Sequence, residues 1–312
     1  MAWRGFMIGI NQEYNFYKMT AKIINGKEIA ATLRQQIASE VKNIKQKYNV
    51  TPGLAVILVG SDPASEVYVS NKEKAAHNVG MNSLQYKLAV ETTQEELLAK
   101  IKELNENDKI HGILVQLPLP NQIDTKKIIH AIDPRKDVDG FNIVNVGKLA
   151  IGEIDGDEKA IAPCTPLGCI HLLKSVAGDN LAGLKTLVIG ASNIVGRPLM
   201  RLLMLENCTV TIANRSTKNL HAECLQADVI IAAAGSPNLV RADMIKKDAI
   251  VIDVGINRIN LADGKTKLVG DVDFENAQEV ASHITPVPGG VGPMTIAYLL
   301  KNTLDCCLRL IK

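Results

Sequence analysis

The chain of 312 residues is poor in aromatics, which make up 4% of it with a single Trp, and nearly balanced in charge, 35 basic residues against 33 acidic. Lacking a basic face and stacking rings, it has neither the electrostatic footprint nor the base platforms of a nucleic-acid binder, and that class is excluded. No CxxC pair occurs among Cys164, Cys169, Cys208, Cys224, Cys306 and Cys307, and the six histidines include no HExxH or similar ligand spacing. The reading is a reduced, metal-free, cytoplasmic protein. No apolar run approaches the roughly eighteen residues that span a bilayer, and Phe6 to Ile10 is too short for a signal core, so neither a membrane partner nor export is expected. Repeats, low-complexity tracts and coiled-coil heptads are missing too.

What is present is a hydrophobic fraction of 46%, enough for a sizeable core and most naturally two domains. Residues 1–18 read differently from the rest of the chain, as an extension or the product of an upstream start, with Met19 the alternative beginning. One arginine, one acid and no serine give little support to a transit peptide. From TAKIINGKEIAATLRQQI onward a first strand and helix open a domain. Apolar runs then alternate with amphipathic ones: Leu54 to Gly60, Ser65 to Val79, Ser83 to Val90, Thr93 to Asn105, Ile110 to Gln116, Thr125 to Ala131. Such alternation builds a parallel α/β sheet. A second set begins at Thr186: TLVIG, a helix from Ile194 to Glu206, CTVTIA, DVIIAAAG and AIVIDVG. Four short β-branched runs with helices between them predict a Rossmann-like nucleotide-binding sheet.

Gly60 to Lys72 (GSDPASEVYVSNK) sets a phenol and an amine four residues apart just after a strand, on a helix expected to start near Ser65. Tyr68 and Lys72 then share one helix face. A lysine desolvated beside such neighbours loses its proton well below its ordinary value of about 10.4 and can act as a general acid or base. The bland reading is a solvated face with the tyrosine packed sideways. YxxxK also serves short-chain dehydrogenases, but there it comes after the glycine-rich loop, whereas here it precedes the candidate loop. Gln116 ends a strand before LPLP, as a loop-capping amide or a donor aimed into a cleft. In DPRKDVDGFN, Asp137 and Asp139 read as turn formers. Cys164, between Pro163 and Thr165, has no identifiable histidine partner and reads as a small buried thiol.

GASNIVG, Gly190 to Gly196, comes after a strand and opens a helix, where backbone amides cradle a pyrophosphate. It is not GxGxxG: Ser192 stands at the second glycine's place and the last glycine comes one residue late. At the next strand end, Asn214, Arg215 and Ser216 replace the acid that a fold selective for NAD offers the ribose. An arginine and a hydroxyl suit a 2′-phosphate, so NADP is expected, with NAD as the other possibility.

Near the end, TPVPGGVGPMT packs three prolines and three glycines into a constrained loop. With DPASEVYVSNK, VQLPLP, KDVDGFN, PCTPLG and GASNIVGRP in the same order, the chain resembles the bifunctional methylenetetrahydrofolate dehydrogenase/cyclohydrolase family from about Ala21 to its end. The resemblance implies two α/β domains around a cleft: a folate-binding catalytic domain of residues 19–148 plus 295–312, and an NAD(P)-binding domain of residues 149–294. A C-terminal helix from about Thr295 to Leu310 would return to the first domain. It implies oxidation of 5,10-methylenetetrahydrofolate with NADP and hydrolysis of the methenyl product to 10-formyltetrahydrofolate, in a cytoplasmic homodimer. Lys72 matches the catalytic lysine and Tyr68 the tyrosine that positions substrate against it. Gln116 would hydrogen-bond Lys72, Asp139 would accept from the pterin, Asp137 would support the turn, and Pro288, Gly289 and Gly290 would line the folate side. Cofactor contacts would fall on Gly190, Ala191, Ser192, Ile194, Gly196, Arg215, Ser216 and Ile256. Ala191 departs from the pattern, since many members carry arginine there, and Arg215 stands where many have histidine; the positive charge has moved between loops. The competing readings are a monofunctional member and a non-catalytic nucleotide-binding protein.

Overall fold

The computed structural model describes residues 20–156, 159–260 and 265–311; the expected extension of residues 1–18 and the alternative start at Met19 lie outside that range. Strand β1 (Lys22–Ile23) leads into α1 (Gly26–Tyr48), whose first turn is capped by the Asn25 side chain accepting from Glu28 N–H. Ala30, Leu33, Ile37, Val41 and Ile44 form its buried stripe, at the spacing of one helix face. Strand β2 (Gly53–Val59) is buried along its whole length, because a central parallel strand is covered on both faces. It pairs with β3 (Asn82–Leu88) on one side and β4 (Gly112–Val115) on the other, all parallel. Helices α2 (Pro63–Asn78), α3 (Gln94–Glu106) and α4 (Thr125–Ala131) intervene. Thr93 and Glu96 close a capping box at the start of α3. At its other end the buried Lys136 donates Nζ to the carbonyls of Asn105 (2.7 Å) and Asn107 (3.0 Å).

Helices α5 (Ile143–Ile151) and α6 (Cys164–Ala177) lead into the larger layer. Its strands are β5 (Lys185–Ile189), β6 (Thr209–Ala213), β7 (Val229–Ala232) and β8 (Ile250–Asp253), with α7 (Gly196–Leu205) and α8 (Leu220–Gln226) between the first three. An antiparallel hairpin, β9 (Asn257–Asn260) with β10 (Thr266–Val269), then α9 (Phe274–Ala277), β11 (His283–Ile284) and α10 (Val291–Leu310), complete the described chain. The large sheet is parallel throughout, in the order β1-β11-β8-β7-β5-β6.

Three details differ from expectation. The helix expected from Ser65 begins at Pro63, because Asp62 rather than a hydroxyl is the cap, its carboxylate accepting from Ser65 N–H at 2.8 Å. The last helix begins at Val291 instead of about Thr295, one turn earlier, directly from the glycine loop. Residues 22–23, read as the opening of the first domain, instead pair with β11 on the edge of the larger sheet. Helix α10 packs on both α1 and α6, and one continuous apolar core runs from Ile37 and Val56 through Leu300 and Leu304 to Leu172, Val188 and Ile231. Among the described residues no helix is long and apolar enough to cross a membrane, and no group of three His, Cys, Asp or Glu is arranged to hold a metal ion.

Candidate active site

The Asp62 cap and Pro63 fix where α2 starts, and thereby which face carries Tyr68 and Lys72. Gln116 comes directly after β4; its backbone N–H donates to the Ile57 carbonyl at 2.8 Å, which holds it at the carboxyl end of the small sheet. There the Lys72 ammonium donates to Gln116 Oε1 at 3.0 Å, while Gln116 Nε2 donates to the Leu117 carbonyl at 2.7 Å. Asp139 joins them. Burial pushes its carboxyl up to about 6, against the pull of the Lys72 charge and with a smaller push from Asp137. Tyr68 is half-buried, and desolvation raises its phenol.

The loop bearing Asp139 is built around Asp137, which is 1% exposed and accepts from the backbone of Gly140 and Asn142 and from Asn145 Nδ2 at 2.8 to 3.1 Å. Two asparagines complete it, Asn142 at the end of the DPRKDVDGFN segment and Asn145 beyond it. Asn142 donates to the Ile132 carbonyl and caps α5; Asn145 donates to the Pro134 carbonyl and accepts from Ile161 N–H. From α10, Asn302 Nδ2 donates to the Val138 carbonyl at 2.8 Å and to that of Ala162 at 3.0 Å. Cys164 is the first residue of α6, and its thiol donates to the Val138 carbonyl. Burial and the nearby Asp139 drive that thiol well above its ordinary value, which suits a packed group and not a nucleophile.

A cavity of about 650 Å³ opens between α1, α2, the β8 end, the hairpin and the glycine loop. Tyr68, Ile256, Pro288, Gly289 and Gly290 all line it. Its wall takes in Tyr68 and Asn71 but not Lys72, Gln116 or Asp139; Tyr68 stands one helical turn before Lys72 on the same face of α2. Lys27, Arg34, Lys74 and Arg258 also face it, a cationic lining that spacing along the chain does not reveal. The glycine loop is seated on α1: Lys27 N–H donates to the Gly289 carbonyl at 3.1 Å, and a Cβ on Gly26 would collide with the Gly290 carbonyl oxygen. Gly289 takes φ +118, which a side chain would oppose.

The other expected contacts lie along the carboxyl edge of the large sheet, where ligands of open α/β sheets bind. In spatial order come Arg215 and Ser216 after β6, Gly190 after β5, the segment 233–236 after β7, Ile256 after β8 and Pro288 beyond β11. Gly190 sits at φ +117 with the Ala233 carbonyl where its Cβ would be, and a Cβ on Gly196 would strike the Gly190 carbonyl oxygen. The tight turn therefore needs glycine at both ends, although the spacing is irregular. No side chain caps α7, so its first N–H groups face the turn. Ser192 Oγ accepts from Val195 N–H, Ile194 is 45% exposed, and Ala191 brings no charge. A cation does stand close by: Arg197, in the first turn of α7, donates to Asn193 Oδ1 at 3.0 Å. Arg215 is exposed and, among the described residues, has no side-chain partner, and Asn214 shapes its turn by accepting from Ser216 N–H. The residues present fit a dinucleotide laid along this edge.

Residues 24–139 match the family model for the tetrahydrofolate dehydrogenase/cyclohydrolase catalytic domain, and residues 163–310 match that for its NAD(P)-binding domain. The bifunctional protein FolD of Cereibacter sphaeroides is 56% identical over 291 residues, 93% of this chain and 96% of that protein. The crystal structure of the bifunctional FolD enzyme from Campylobacter jejuni superposes with a TM-score of 0.87 at 48% identity, covering 92% of this chain and 99% of that one. That of the Trypanosoma brucei enzyme, complexed with NADP cofactor and inhibitor, gives a TM-score of 0.87 at 38% identity, covering 93% and 98%.

Proposed function

The chain belongs to the tetrahydrofolate dehydrogenase/cyclohydrolase family, and from that premise we propose that it oxidises 5,10-methylenetetrahydrofolate to the methenyl cation with NADP and hydrolyses that cation to 10-formyltetrahydrofolate. The observation that carries the reading is the Lys72–Gln116 pair beside Asp139, on the helix whose preceding turn brings Tyr68 to the wall of a cavity shared with Ile256 and the Pro288–Gly290 loop. Bound NADP supplies the hydride acceptor. The protein's part in that step is alignment, since lone-pair donation from the folate nitrogens stabilises the developing cation.

Hydrolysis demands proton traffic. Water adds to the methenyl cation and loses one proton to solvent, which leaves a neutral adduct; the departing ring nitrogen takes a proton from the Lys72 ammonium, and the amine so formed takes the adduct's hydroxyl proton as the formyl C=O forms, with one proton released overall. Gln116 holds the Lys72 ammonium through an oxygen whose partner nitrogen is already committed. The ionised Asp139 accepts the pterin's N–H donors, and Tyr68 with the Pro288–Gly290 backbone confines the rest of the substrate. Arg215 and Ser216 take the 2′-phosphate, and Gly190, Ala191, Ser192, Ile194 and Gly196 the pyrophosphate. Ile256 bounds the nicotinamide. From β5 to β8 is two strand spacings, about 10 Å, a span that an extended dinucleotide bridges.

We assign folate chemistry to residues 24–148 with α10, the cofactor to the larger sheet, and the assembly to a homodimer in the cytoplasm. The deciding experiment is a paired assay on the wild type and Lys72→Met: reduction of NADP with methylenetetrahydrofolate, and decay of methenyltetrahydrofolate absorbance. Loss of the second activity in the variant, with the first reduced about tenfold at most, is expected. A wild type with neither activity would overturn the reading.

A further inference from the structure

Asp271 has no part in the chemistry above, yet it is fully buried, at 0% exposure. Its Oδ2 accepts from the backbone N–H groups of Ala234 (2.6 Å) and Gly235 (2.9 Å), and its Oδ1 from Ser236 N–H (2.8 Å) and Asn257 Nδ2 (2.8 Å). One carboxylate thus ties the loop that leaves β7 to the first residue of β9, just beyond the end of β8, both at the carboxyl edge of the large sheet. The glycines around it are there to make room. A Cβ on Gly255 would collide with the Asp271 carboxylate, and a Cβ on Gly270 with that of Asp253. Asp253 in turn accepts from the N–H groups of Gly255, Asp271 and Val272 at 2.9 Å each, so the two acids brace each other's backbone.

The brace reaches the nucleotide turn. Ala233, next to the first amide held by Asp271, has its carbonyl packed where a Cβ of Gly190 would be. On the other side, Asn257 comes directly after Ile256. Hydrogen bonds to a buried carboxylate are among the stronger ones, and a buried N–H robbed of its acceptor is costly, so these loops have one low-energy arrangement while the carboxylate is present. Lys72, Gln116 and Asp139 belong to the other sheet's end and receive nothing from Asp271 directly.

We propose that Asp271 is a positioning residue for the dinucleotide: it holds the backbone of 234–236 and the Ile256–Asn257 segment in the shape that receives the nicotinamide end, without touching cofactor or substrate itself. This rests on the functional reading above. Its consequence is a split, because the cyclohydrolase step needs no cofactor.

The test is Asp271→Asn, which keeps shape but turns an N–H₂ toward N–H donors. NADPH affinity, read by fluorescence titration, and the Michaelis constant for NADP should each worsen about tenfold or more, while methenyltetrahydrofolate hydrolysis without cofactor stays within about twofold of wild type. Asn257→Ala, which removes one of the four donors to the same carboxylate and does not line the cavity, should give the same split in milder form and stands in should Asp271→Asn fail to fold. Unchanged NADPH affinity in a folded variant, or a parallel fall of cofactor binding and hydrolysis in both variants, would overturn the proposal. A wild type without cyclohydrolase activity would overturn the functional reading instead, and the NADPH titrations would still decide the role of Asp271.

Discussion

Gln116 gives its oxygen to the Lys72 ammonium at 3.0 Å and its nitrogen to the Leu117 carbonyl at 2.7 Å, so the amide cannot flip without setting N–H groups against a cation and losing both bonds. The lysine is therefore aimed by a group that is itself aimed by the backbone. General acid–base assistance of this kind is worth about 10² to 10⁴ in rate. Lys72→Met should cost cyclohydrolase activity on that scale and dehydrogenase activity about tenfold at most. Gln116→Ala should fall between Lys72→Met and wild type. Equal loss of both activities in Lys72→Met, measured on the same preparation, would assign the lysine to binding instead.

Asp139 carries a pH signature. With its carboxyl pushed up to about 6, the acceptor form needed for pterin N–H donors forms only as pH rises through that value. The Michaelis constant for the folate should fall between pH 5 and pH 7, and Asp139→Asn should raise it and flatten the profile. Stability runs the other way. A carboxyl that titrates near 6 when folded and at its ordinary 3.8 when unfolded binds more protons in the folded state, so its contribution is lost as pH climbs across that interval. Denaturant titrations should give Asp139→Asn a gain relative to wild type, on the order of 3 kcal/mol, at pH 7 that has largely gone at pH 4. Asp253, likewise raised to about 6, keeps part of the slope in both proteins.

Arg215 is the exposed cation at the end of β6, beside Ser216 and in line with the turn at Gly190. Arg215→Ala should raise the Michaelis constant for NADP by about 10- to 100-fold, the worth of a charge-assisted phosphate contact, and leave that for NAD nearly unchanged. An equal effect on both cofactors would remove Arg215 from the phosphate site and leave Arg197 as the nearest cation.

Gly26 opens α1, where alanine would ordinarily gain about 1 kcal/mol of helix propensity. Its Cβ, however, would meet the Gly290 carbonyl oxygen, and backbone cannot yield as a flexible side chain does. The collision should win, at about 1 to 3 kcal/mol. Gly26→Ala should lower the melting temperature and raise the folate Michaelis constant by displacing the Pro288–Gly290 loop.

Long central elements are legible in the sequence because one physical signal dominates each. GLAVILV is uniformly apolar since β2 is covered on both faces, and Thr125 to Ala131 starts after a good cap. The two-residue strands β1 and β11 carry no periodicity, and their pairing is set wholly by partners far along the chain. Helix α5 is hidden because Ile143, Val144, Val146 and Ile151 are exposed, so its apolar pattern does not mark a buried face. The cap of α2 is ambiguous in the sequence because Asp62, Ser61 and Ser65 all qualify locally. In the site, Tyr68, Lys72, Gln116 and Asp139 are legible as motifs, but the roles of Asn142, Asn145, Asn302 and Asp271 depend on acceptors and donors up to 164 positions away.

The apolar core that threads both sheets by way of α10 and α6 bears on how the molecule comes apart. Two layers with separate interiors would melt in two stages and could be expressed as halves. Here each sheet keeps an apolar cluster of its own on the opposite face, but removal of either layer strips the other of the face packed on α10 and α6, so calorimetry should record one endotherm, and nicking a surface loop should release no independently stable fragment.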